Sequence, residues 1–203
     1  MPGQIKIDDG AGNYTILTNA GSLGSDKTIT IPNETATLAT TNGITEYDQW
    51  QLVDSTSAGT NGDLSGTWSR FDHPGATYIG TGMSVSSGVF TFPSTGKWEV
   101  SFTGRIANTD ADDQTNILTK FTSDNSTYSN VAIVGEGSGA AAASRGTGTS
   151  FVLLDITDTS NCKVKFEVAS SSANSFVFGN SNSPDTTAGY PQTYAIFKKV
   201  GDT

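Results

Sequence analysis

Histidine and cysteine are almost absent from this chain, which holds one of each, His73 and Cys162. A single cysteine excludes an intrachain disulfide, and inside SNCKVKFEV it reads as a small, half-buried residue. A single histidine excludes a histidine-rich metal site and leaves no Ser-His pair placed by a local motif, and no G-x-S-x-G elbow occurs. In RFDHPGA, His73 reads as a turn residue before Pro74. Basic residues are scarce: 11 Lys and Arg against 20 Asp and Glu give a net charge of −9, which excludes the clustered cations of a nucleic-acid binder. No apolar run approaches membrane-spanning length and no stretch is basic and amphipathic, so membrane insertion is not expected. MPGQIKIDDG lacks a charged region followed by an apolar core, and the chain reads as neither conventionally secreted nor membrane-anchored. The Asn-x-Thr triplets at Asn13, Asn33 and Asn125 then read as ordinary turn residues.

What fills the chain is Ser, Thr, Asn and 23 Gly, a composition suited to many short strands and tight turns. The clearest pattern lies in Ile79 to Ile106. Phe90 and Phe92 share one face, FPSTG supplies a turn, and Trp98, Val100, Phe102 and Ile106 follow on alternate positions with Gly104 as the one gap. Period-two alternation marks a strand with one buried face, and it repeats at Val164, Phe166 and Val168. These positions predict the core: Phe90, Phe92, Trp98, Val100, Phe102, Val164, Phe166 and Val168.

Further strands are expected near 47–53, 67–71, 77–79, 88–92, 97–106, 116–122, 128–135, 149–156, 162–169, 175–179 and 193–200. No helical apolar stripe interrupts them, so the fold class is all-β, a sandwich or jelly roll. FVLLDI and TYAIFKKV are apolar on both faces, which predicts burial beyond the needs of one domain. Phe151, Leu153, Tyr194 and Phe197 are therefore candidates for a subunit contact.

Residues 1–44 carry strand pieces with too few apolar residues for a core of their own. IKI and YTIL read as a hairpin across Asp8 to Asn13, and KTITIP with TATLAT as a second strand pair. Unpaired edges in such a segment favour pairing with sister chains or a larger scaffold, so it reads as an anchor, with Ile5, Ile7, Tyr14, Ile29, Ile31 and Leu38 as its contact candidates. Thr40 to Gly43 reads as a linker to a head over 45–203.

Several stretches invite a chemical reading. Gly135-x-Gly137-x-x-Ala140, followed by Asp155, has the spacing of a dinucleotide site, but 140–149 lacks the apolar stripe of the required helix and reads as a long loop of small residues. Ile79-Gly80-Thr81-Gly82 is a shorter glycine motif of the same kind. Asp110, Asp112 and Asp113 cluster as calcium ligands could, without the glycine and terminal Glu of a known loop. Asp8 and Asp9 adjoin where neighbouring side chains diverge, which does not suit a glycosidase pair. The sequence thus predicts neither an enzyme nor a cofactor.

The head resembles the C1q and tumour-necrosis-factor-like jelly roll, especially the versions on the virion fibres of marine bacteriophages. The resemblance runs over residues 44–203. It is carried by ITEYDQWQLV, TWSRFD, IGTGMSVSSGVFTFPSTGKWEVSF, SDNSTY, VLLDITDTSNCKVKFEV and the closing TYAIFKKVGDT, while TITIPNETATLAT at 28–40 is similar to a segment that precedes such heads in phage fibres. It implies about ten strands, a homotrimer, and binding of other macromolecules rather than catalysis. The expected role is a virion structural protein at the particle surface, a capsid decoration or short fibre protein bound to a phage capsid or tail protein. The alternative is a tail-fibre or baseplate tip that binds a host surface glycan or protein.

Overall fold

A computed structural model describes residues 5–8, 14–17, 43–54, 56–57, 61–71, 75–108, 114–137, 144–170, 176–177, 179 and 191–203. Ile29, Ile31, Leu38, His73, Asp9, Asp110, Asp112, Asp113, Ala140 and the second predicted N-terminal strand pair lie outside them. The chain divides into two compact units, Met1–Thr40 and Thr41–Thr203, a boundary slightly earlier than the expected one at 44. In the first, β1 (Ile5–Asp8) and β2 (Tyr14–Leu17) form the expected antiparallel hairpin, with Ile5 opposite Leu17 and Asp8 opposite Tyr14.

The second unit is all-β. Its strands are β3 (Tyr47–Leu52), β4 (Thr56–Ser57), β5 (Gly62–Asp63), β6 (Trp68–Arg70), β7 (Ser84–Ser86), β8 (Val89–Thr91), β9 (Gly96–Asn108), β10 (Gln114–Thr122), β11 (Ser129–Gly137), β12 (Ser144–Ile156), β13 (Lys163–Ser170), β14 (Phe176–Val177) and β15 (Tyr194–Gly201). One sheet runs β12-β9-β15-β3-β6, with β14 and β4 continuing along the far end of β9. The other runs β11-β10-β13-β8-β7, with β5 beside β13. All pairings are antiparallel, and strands adjacent in space are often distant in sequence, as β9 and β15 are.

The two sheets close on an aromatic core. Trp98, Val100, Phe102 and Ile106 of β9 are buried, as are Phe90, Phe92, Val164, Phe166 and Val168. Phe102 and Phe166, one from each sheet, have ring centroids 4.3 Å apart, and Phe90 lies 4.9 Å from Phe197. Each such side chain contributes about 1.5–3 kcal/mol through burial. The three tryptophans keep their indole N–H groups satisfied: Trp98 donates to Ser94 O, Trp68 to Leu64 O and Trp50 to Asp48 Oδ2.

Several expectations change. The strand expected at 77–79 is reduced to a single bridge, Ile79 opposite Tyr47, because the chain turns at Gly80. Ser144 to Thr149, read as loop, is strand, because its small residues pair along the end of β9 from Asn108 to Thr103. That leaves no place for the helix a dinucleotide site requires. β7 was not foreseen because its serines give no apolar alternation. It forms through a two-residue turn at Ser87 and Gly88, both with positive φ, the hairpin geometry that matches strand twist. Cys162 is fully rather than half buried.

Candidate functional site

The outer face of the β12-β9-β15-β3-β6 sheet departs most from an ordinary wet surface. On β12, Val152, Leu154 and Ile156 turn inward, and the alternate positions turn out. Phe151 is 77% exposed and Leu153 63% exposed, opposite Ser101 and Glu99 of β9. β12 is also the edge strand of this sheet among the described residues, so its apolar side chains and its free backbone edge lie together. Lys97 pairs with Asp155 and Lys198 with Glu99, which sets ion pairs beside the apolar residues on the same face.

The four predicted contact residues separate. Phe151 and Leu153 are exposed, and Tyr194 is partly covered by Phe71, its ring centroid 5.9 Å away. Phe197 is a correction: it is fully buried in the head against Phe90 and Phe92. TYAIFKKV has apolar residues on both sides, and the register of β15 with β9 decides between them. Ala195 and Phe197 stand opposite Phe102 and Val100 and share their inward face, whereas Tyr194 and Ile196 stand opposite Thr103 and Ser101.

Beside Tyr194 the same sheet opens into a cleft of about 510 Å³ lined by Thr103, Arg105, Arg145, Thr147, Pro191 and Gln192. Arg145 faces Ala107 and Thr147 faces Arg105, so the two arginines are diagonal neighbours on one sheet face. The wall is held in place by hydrogen bonds. Arg105 Nη1 donates to Gln192 Oε1, Gln192 Nε2 donates to Gly179 O, and the Arg105 backbone N–H donates to Thr193 Oγ1. The sequence concealed this cleft, since its residues come from three strands or their flanks and no local motif joins them.

The Gly80-Thr81-Gly82 motif binds anions, and they are the protein's own. Both glycines have positive φ, and the N–H groups of Thr81 and Gly82 donate to Glu46 Oε2 at 2.9 and 3.0 Å. The next N–H, of Met83, donates to Asp48 Oδ2 at 2.7 Å. A Cβ at Gly80 would fall 2.4 Å from the Glu46 carboxylate, so glycine is what admits it. Asp48, 1% exposed, also takes two donors from Arg70, whose guanidinium stacks on Trp50 and Tyr78. This cluster ties β3, β6 and the loop together.

No protein-family model matches the chain, and no curated protein matches it. Among solved structures it is similar to murine APRIL crystallised at pH 5.0, with 10% identity over 76% of this chain and 98% of that one, at a TM-score of 0.50. It is similar also to Eiger TNF from S. frugiperda, with 11% identity over 77% of this chain and 93% of that one, at a TM-score of 0.52. The fold is a TNF-like jelly roll. In this TNF-like head the exposed apolar residues and the arginine cleft occupy one sheet face, while the glycine loop is closed by carboxylates from the chain itself.

Proposed function

We propose that this chain is a structural protein of a bacteriophage particle, a homotrimeric decoration or short fibre protein held to a capsid or tail protein through residues 1–44. The observation that carries self-association is the exposure of Phe151 and Leu153 side by side on an edge strand. Covering them with a second copy contributes about 1.5–3 kcal/mol per side chain and protects the open strand edge. A closed cyclic assembly does so without growing into a fibre. The virion role is supported by the resemblance of IGTGMSVSSGVFTFPSTGKWEVSF and of the 28–40 segment to phage fibre proteins.

Light scattering of the full chain tests the assembly: the expected mass is three times 21.1 kDa, and a monodisperse monomer overturns it. Imaging of labelled particles tests the location. Removal of residues 1–44 is expected to abolish incorporation into particles, and continued decoration by the truncated protein refutes the anchor. The arginine cleft favours a second reading, a tail-fibre or baseplate tip that contacts a host-surface ligand.

A further inference from the structure

We infer that Phe151 of one copy inserts into the hollow between Phe71 and Tyr78 of the next copy, with Leu153 against Tyr47 and Ile79. This contact rests on the self-association proposed above and adds the surface that receives it. The outer face of the β12-β9-β15-β3-β6 sheet carries apolar groups at both of its sides. On the β12 side are Phe151 and Leu153. On the β3-β6 side Tyr78 and Ile79 are 46% and 45% exposed, and Gln49, Phe71, Ala76, Thr77 and Tyr78 line a hollow of about 260 Å³. That is below the roughly 300–1,000 Å³ of small-molecule sites and suits one large side chain. Asp48 and Arg70, which complete the lining, bond each other, so the hollow needs no charged ligand. Between the two sides lie Ser101 and the Glu99–Lys198 ion pair. The patches are therefore separate and unlike, and unlike patches join head to tail rather than about a twofold axis.

Strand register puts side chain and hollow at one height. Phe151 stands opposite Ser101, Ser101 opposite Ile196, and Ile196 opposite Gln49, whose carbonyl accepts from the Phe71 N–H. Two residues along, Leu153 stands opposite Glu99, Glu99 opposite Lys198, and Lys198 opposite Tyr47, which bridges to Ile79. A rotation about an axis along the strands carries one copy to the next without changing height. It brings both β12 side chains to the matching rows of the neighbour at once, and a closed ring requires that absence of rise. A twofold axis across the strands reverses the order of the two rows. Inside the hollow, the ring of Phe151 gains aromatic neighbours that the free chain leaves it without.

Light scattering reads the mass of the full chain and circular dichroism its fold. Thr77 lines the hollow and is exposed, so Thr77→Arg blocks entry without touching the core. It is expected to be a folded monomer of 21.1 kDa where wild type has three times that mass. Thr149 is exposed beside Phe151 on the outward face of β12, which places it near the same contact and leaves Phe151 in place. Thr149→Cys with Thr77→Cys, treated with a bismaleimide, is expected to give covalent dimers and trimers on a denaturing gel. Each single variant is expected to give none, as is wild type, whose one cysteine, Cys162, is fully buried. A trimeric Thr77→Arg variant, crosslinking of Thr149→Cys alone, or an assembled pair variant that does not crosslink each overturns the contact while the trimer stands. A monomeric wild type overturns the trimer and the contact together.

Discussion

Gly104 and Gly148 face each other across β9 and β12, and the space they leave is filled from the opposite sheet. A Cβ at Gly104 would stand 2.7 Å from Ile117 Cδ1, and one at Gly148 would stand 2.7 Å from Val134 Cγ1. The gap in the alternation of β9 is therefore a socket for β10 and β11. Gly104→Ala is expected to cost about 1–3 kcal/mol by overpacking, measured as a lower urea midpoint with unchanged slope. Unchanged stability would mean that the sheets do not approach as closely as this.

Trp98 is 1% exposed, with the ring of Phe92 5.3 Å away. Trp98→Ala is expected to lose about 3–5 kcal/mol in the same measurement. A near-neutral result would place the tryptophan on the outer face of β9.

Asp48 is buried while Arg70 remains about a third exposed, so the pair is asymmetric. Arg70→Met strands a buried carboxylate and is expected to cost about 3 kcal/mol. Asp48→Asn in the same background should restore part of this, since an amide oxygen can still accept from Met83 and Trp50 without needing a counter-charge. An additive double variant would show that the two residues are not coupled.

If the proposed assembly forms through β12, Phe151→Asp with Leu153→Asp is expected to convert it to a folded monomer. Light scattering and circular dichroism read the two properties separately. Both side chains project from the monomer surface, so a loss of fold rather than of mass would argue against their role in assembly.

Asp124 accepts from the Thr127 backbone N–H, the Thr122 hydroxyl and the Ser126 backbone N–H, and these hold its carboxyl well below the usual carboxylate range. A depressed folded pKa contributes stability that is complete above the unfolded value, about 3.9, and is lost as pH falls through the folded value. Asp124→Asn removes that titration. The melting temperature of wild type should exceed that of the variant at pH 7, and the difference should shrink as pH falls toward 2. A constant difference would show that the loop bonds do not distinguish the two protonation states.

Much of the fold was legible because period-two alternation is a direct record of which side of a strand is dry. Trp98, Val100 and Phe102 on β9, and Val164, Phe166 and Val168 on β13, each occupy one face, and all six are buried. The spacing of such segments gave an all-β sandwich or jelly roll, and the resemblance chose the jelly roll. Where both faces are apolar, as in TYAIFKKV, alternation is silent, and Phe197 was assigned to the wrong side for that reason. Small-residue strands such as β7 and the first half of β12 carry no hydrophobic signal at all. Backbone pairing alone makes them strands.

By itself the sequence determined the all-β class, the main inward-facing residues and the exclusion of an intrachain disulfide, because composition and local periodicity carry that information. Tertiary structure decided the rest. It put β12 at an edge with Phe151 and Leu153 uncovered, filled the Gly80–Gly82 loop with Glu46 and Asp48, and brought Arg105 and Arg145 together. These relationships join residues far apart in the chain, and strand register, which no local stretch encodes, is what sets them side by side.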